Sequence, residues 1–64
     1  MIGTVTDDTV RVRAEKSTDS DILELVARDT VLPVEKQDKD WVQVTLANDV
    51  TGYIAADYIT VAES

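Results

Sequence analysis

Thirteen carboxylates in sixty-four residues, several of them in close pairs, are the first place to look for chemistry. Asp7-Asp8, Asp19-x-Asp21 and Asp38-x-Asp40 are spaced so that one acid could act beside one base. Such work needs a cleft between the two groups and burial that lifts the pKa of one of them. Each pair falls in a stretch that reads as an exposed polar loop, so the pairs read as a solvated acidic surface. A calcium loop around Asp19 and Asp21 lacks the central Gly and the spaced final Glu. The chain has no His and no Cys. Ser17, Ser20 and Ser64 therefore have no imidazole to activate them, and no thiol nucleophile or Cys/His zinc site can form. Two isolated glycines, Gly3 and Gly52, cannot build a phosphate cradle. Catalysis, a metal and a cofactor are all left without support, and recognition is the chemistry that remains.

The side chains suited to recognition are few. Trp41 is the only Trp, and Tyr53 and Tyr58 are the only other aromatic residues. Along Asp40 to Leu46 the pattern alternates, which puts Val42, Val44 and Leu46 on one face and Trp41, Gln43 and Thr45 on the other. Trp41 thus points away from the valine core, either to line a groove or to cover a local packing site. Tyr53 and Tyr58 read as packing residues with hydroxyls at the surface. In Thr9 to Arg13 the same alternation separates Val10 and Val12 from Arg11 and Arg13. These arginines are expected to pair with acidic neighbours on the exterior, with a ligand-carboxylate role for Arg13 as the second reading.

The elements that position these residues are short and of β type. Thr9 to Arg13, Thr30 to Lys36, Asp40 to Leu46, Thr51 to Ala55 and Ile59 to Val61 read as strands. Ile22 to Ala27 is read as a further strand, with a bulge that turns both Leu23 and Val26 inward. Pro33 has no N–H and belongs at an edge or a bulge. Ala47-Asn48-Asp49 is hairpin-turn chemistry, and Ala55 to Tyr58 is a candidate turn of 3₁₀ helix. Gly52 marks a point where a side chain would obstruct a neighbouring strand. About six short strands with regularly spaced turns indicate a small barrel.

Length and charge narrow the function further. Sixty-four residues make one domain. Residues 1–64 are read as a single unit from a larger multidomain protein, and the isolated unit as a monomer. The net charge of −7, with six basic residues, excludes binding that depends on neutralising phosphates, so no nucleic-acid partner is expected. It disfavours anionic membrane surfaces as well. No apolar run is long enough to span a bilayer, and the first residues show no signal-peptide pattern.

Val10-Arg11-Val12-Arg13, Trp41-Val42-Gln43-Val44, Gly52-Tyr53-Ile54 and Tyr58-Ile59, in that order, resemble the profile of bacterial SH3-like (SH3b) domains. The likeness extends over roughly Gly3 to Val61. Arg11 stands where the family often has Asn, Ala14-Glu15-Lys16 replaces a Ser-Gly-Pro-like step, and Asp29 replaces the Gly before Thr30. Asp can enter the left-handed region that Gly would fill. The resemblance implies an all-β SH3-like barrel of five to seven short antiparallel strands with one 3₁₀ turn.

It also implies a non-catalytic module of a secreted cell-wall hydrolase, such as an amidase or an NlpC-type peptidase. The expected partner is a peptidoglycan peptide, or else a neighbouring domain of the same chain. The expected location is extracellular or in the cell envelope. By analogy with SH3-type grooves, Trp41 and Tyr58 would supply apolar contact between the Glu15–Asp21 and Lys36–Asp40 loops. Glu15, Asp19, Asp38 and Asp40 would read amines on the ligand. The architectural alternative expects an exposed apolar patch around Leu25, Val31 and Pro33.

Overall fold

The computed structural model describes residues 1–63. The described residues form seven strands and one 3₁₀ turn: β1 (Ile2–Val5), β2 (Thr9–Arg13), β3 (Ile22–Ala27), β4 (Val31–Gln37), β5 (Trp41–Thr45), β6 (Thr51–Ala55), the turn Ala56–Tyr58, and β7 (Ile59–Ala62). Every pairing is antiparallel, and the strands form one sheet in the order β3-β2-β6-β5-β4-β1-β7. The all-β, SH3-like expectation is met. One feature of the barrel is corrected: the sheet is not closed, because its two ends, β3 and β7, do not pair with each other.

Period-two alternation explains why these segments are strands. Val10 and Val12, Leu32 and Val34, Val42 and Val44 are buried at every second position, with exposed or half-buried residues between them. All seven strands send side chains into one cluster that includes Val5, Val26, Ile54 and Ile59. A flat sheet could not bring both of its ends to a single core, so this sheet curls around it.

Bends and changes of partner produce the curl. The first half of β4 pairs with β1 (Ile2↔Pro33 to Thr4↔Val31), and the second half pairs with β5. Pro33 lies before the first β4–β5 pair, Val34↔Val44, so its missing N–H deprives β5 of nothing. The strand is interior in the sheet order, yet it is locally an edge at Pro33. A register shift between Val34 and Lys36 bends β4 just after this point. Residue Asp29, at φ 70°, turns the chain between β3 and β4, and its N–H donates to the Val5 carbonyl at 2.8 Å. Asp49, at φ 65°, closes the β5–β6 hairpin.

Two local expectations change. The bulge in β3 is present, since Val12 faces Glu24 while Arg13 faces Ile22. Only Val26 of that strand is buried, however, and Leu23 is 41% exposed. As the extra residue of the bulge, Leu23 is only partly covered: its Cδ1 lies 3.7 Å from where a Cβ on Gly52 would be, so it faces the side of the buried Val12 without being enclosed. The second change is a strand absent from the pattern reading, β1, which is bracketed by β4 and β7.

Gly3 and Gly52 are both close-approach glycines. A Cβ on Gly3 would lie 2.5 Å from Ile59 Cδ1, and one on Gly52 would lie 2.3 Å from Val12 Cγ1. Gly52 therefore lets β6 meet β2, as its position in the sequence suggested.

Candidate functional site

The two sides of β6 are unlike. On one side β5 pairs with it over five consecutive positions, from Trp41↔Ala55 to Thr45↔Thr51. On the other, β2 pairs with it only at Arg13↔Tyr53. Directly opposite residues share a face of the sheet. Gln43, Tyr53 and Arg13 therefore make one continuous outer row across the three strands. In the next row Trp41 sits beside Ala55, and Arg11 would follow, but no β2–β6 pair forms there. The strands part at this point and a groove of about 310 Å³ opens between them.

Each element contributes something different to that groove. Trp41 and Ala55 line it from β5 and β6, and Tyr58 does so from the 3₁₀ turn. Thr9, Val10, Arg11 and Arg13 line it from β2, Thr18 from the β2–β3 loop, and Asp7 from the β1–β2 turn. Trp41 is half-buried and Tyr58 is 44% exposed, so one ring is set in the wall and the other stands at the rim. The main chain holds the wall in place. Ala56 N–H donates to the Asp40 carbonyl at 2.9 Å, joining the 3₁₀ turn to the residue before Trp41. Thr6 N–H donates to the Tyr58 carbonyl, also at 2.9 Å.

Two hydroxyls organise the β2–β3 loop, and Ser17 Oγ accepts from the Asp19 N–H at 3.1 Å. Ser20 Oγ lies 2.6 Å from the Ser17 carbonyl and 3.3 Å from the Glu15 amide nitrogen, donating to the first and accepting from the second. Arg13 Nη1 donates to the Ser20 carbonyl at 3.1 Å, so the loop in turn steadies a groove side chain. Across the loop, Lys16 forms an ion pair with Asp38 in the β4–β5 turn, and its ammonium lies 5.8 Å from the Tyr53 ring centroid. The hydrogen bond to Asp38 holds the Lys16 pKa above its ordinary value, and the same bond lowers that of Asp38. Both side chains remain well exposed, so the pair fixes loop geometry more than it stabilises the fold.

Trp41 and Tyr58, proposed together from sequence, do line the same groove. Glu15, Asp19, Asp38 and Asp40 lie outside its lining, in the two neighbouring loops. The carboxylate of Asp38 is engaged by Lys16. Arg11 and Arg13 depart from expectation. Among the described residues the ion pairs are Lys16–Asp38 and Arg28–Asp8, and neither arginine has a carboxylate partner. Asp7, Arg11 and Thr18 were not singled out as groove residues in the sequence. The alternation that put Arg11 and Arg13 on one face was the available signal, and the parting of β2 from β6 was not visible in it. Among the described residues no cluster of carboxylates gathers that could hold a metal ion.

The bacterial SH3 domain family model matches residues 8–60. This chain is a bacterial SH3 domain. The match takes in β2 through the start of β7 and leaves β1 outside, so the strand missed by alternation also lies beyond the matched segment. Comparison with curated proteins gave no match. Domains of this family are commonly binding modules and not catalysts. The groove described above is where such a module has aromatic, cationic and hydroxyl groups within reach of one ligand.

Proposed function

We propose that this domain is the non-catalytic wall-binding module of a bacterial cell-wall hydrolase, acting outside the cytoplasm, and that its ligand is a peptidoglycan peptide. The observation that carries the proposal is the joint placement of Trp41 and Tyr58 in the groove between β2 and β6. An extended peptide laid there would stack on both rings while its main chain runs beside the edge of β2 that β6 leaves open. Glu15, Asp19 and Asp40 lie in the two neighbouring loops, outside the lining. In this proposal they add to the −7 charge of the chain, which as a whole draws amine-bearing ligands over distance. Asp38 acts indirectly, by keeping the β2–β3 loop in place through Lys16. The test is an NMR titration with purified muropeptides. The proposal expects the Trp41 indole and the Tyr58 amide to shift at millimolar ligand or below. If no resonance around the groove moves, the assignment is wrong.

A second reading has its own observation. Ile22, Leu23 and Leu25 are exposed along the edge strand β3, and Val31 and Pro33 are exposed on β4, where Pro33 faces the exposed Ile2. Apolar side chains on an edge strand suit packing against a neighbouring domain. In that case the isolated domain would ignore purified sacculi, while its deletion from the parent protein would lower solubility or turnover.

A further inference from the structure

We infer that the groove is polarised and takes the carboxylate end of a short extended peptide against Arg11 and Arg13, with the peptide's amino group towards Asp7. The inference rests on reading the groove as the binding site and specifies what is read there.

Charge is the first support. In a chain of thirteen carboxylates, the two guanidinium groups lining the groove have no ion-pair partner among the described residues. Against them the lining supplies a single carboxylate, Asp7, so the groove is locally cationic within a chain of net charge −7. A long polyanion would meet repulsion everywhere beyond the groove, whereas one carboxylate would not.

Geometry is the second support. Arg11 and Arg13 are two apart on one face of β2, about 7 Å along the strand. Their forks can close on one carboxylate or share it with Thr18, which lines the same wall. One N–H of Arg13 is spent on the Ser20 carbonyl, which orients the fork and leaves its other donors free. Asp7 lies in the turn before β2, away from Arg13, so amine-binding and carboxylate-binding groups occupy different ends. A volume of about 310 Å³ is near the lower limit of ligand pockets and suits a peptide end better than a long chain.

The chain's only Trp lines this groove, so its fluorescence reports on occupancy directly. The probes are a stem tetrapeptide in free-acid form and the same peptide with every carboxyl converted to an amide. Amidation is expected to weaken binding about tenfold or more, as loss of charge-assisted hydrogen bonds does. Arg11→Gln and Arg13→Gln should weaken binding of the free acid and leave the amide unchanged, the pattern of a direct coupling. Arg11 is exposed, so Arg11→Gln should melt with the wild type and serve as the folding control. Equal affinity for acid and amide would overturn the carboxylate assignment and leave the groove standing. No Trp41 response to either peptide at millimolar concentration would overturn the groove reading and this inference with it.

Discussion

Strand β6 divides the molecule into two regions that do different work. Towards β5 it is laddered over its whole length, and Ile54, Val42 and Val44 beneath that ladder are completely buried. Towards β2 it is held at one register position, and the opening beside that contact carries two arginines that have no carboxylate partner among the described residues. The laddered side supplies stability, and the parted side supplies an accessible surface. A domain of this size has only about 3–5 kcal/mol of net stability to draw on. β2 stays laddered to β3 along its length, so the opening costs only the pairing of its β6-facing edge.

The harshest way to break this comparison is to damage the laddered side. Ile54→Ala deletes fully buried methyl groups and should cost about 3 kcal/mol, more than half of the net stability of a domain this small. Urea denaturation followed by circular dichroism reads the loss. A cost under about 1 kcal/mol would mean that the β5–β6 ladder is not where stability resides.

Gly52→Ala should have the next largest effect, because it acts where the two regions touch. The new Cβ would come within 2.3 Å of Val12 Cγ1, and Val12 is fully buried with no space to withdraw into. A loss of about 2 kcal/mol is expected, from overpacking. Hydrogen exchange should quicken first in Thr9–Arg13 as β2 is pushed from β6, before it quickens in Trp41–Thr45.

Ser20→Ala should cost about 1 kcal/mol by releasing the β2–β3 loop. It should also broaden the Arg13 side-chain signals, since the Ser20 carbonyl would no longer be held in place. An unchanged Arg13 spectrum would mean that the loop does not orient the groove.

The smallest effect belongs to the Lys16–Asp38 pair. Its contribution follows the sign of each shift. Asp38 titrates below its ordinary 3.8, so its share is present above that value and is lost as pH falls through the folded value. Lys16 titrates above its ordinary 10.5, so its share is present below that value and is lost as pH rises through the folded one. The stability difference between wild type and Asp38→Asn should be small and flat from about pH 5 to about pH 9, and it should vanish in acid. It should also shrink with added salt. A difference that persists below the folded Asp38 pKa would assign Asp38 another role.

These regions also differ in how legible they were in the sequence. Strands β2, β5 and β6 were readable because Val10/Val12, Val42/Val44 and Ile54 alternate with polar or aromatic residues, and local alternation is what burying one face of a sheet requires. Asp29 in the left-handed turn and Gly52 at a close approach were readable from residue type. Strand β1 was not. Ile2-Gly3-Thr4-Val5 has one fully buried apolar side chain, and its Gly is set by the distant Ile59. Leu23 shows a related limit: the bulge is readable locally, but how far the side chain is covered depends on pairing with β2.

Half of the groove was equally legible. Alternation put Trp41 on the outer face, and the 3₁₀ turn brought Tyr58 beside it. The cationic wall was hidden because it depends on where β2 separates from β6, a long-range property that no local pattern encodes. For the same reason acidic loop residues near in sequence were proposed, while Asp7 and Thr18 line the groove itself.

The most direct test of the division between scaffold and site is cosedimentation of wild-type and Trp41→Ala protein with purified sacculi, beside melting curves of both. Wild type should pellet with the sacculi, Trp41→Ala should stay in the supernatant, and the two should melt within a few degrees of each other, a shift of about 1 kcal/mol or less. Trp41→Ala protein that stays folded and still pellets like wild type would contradict that division.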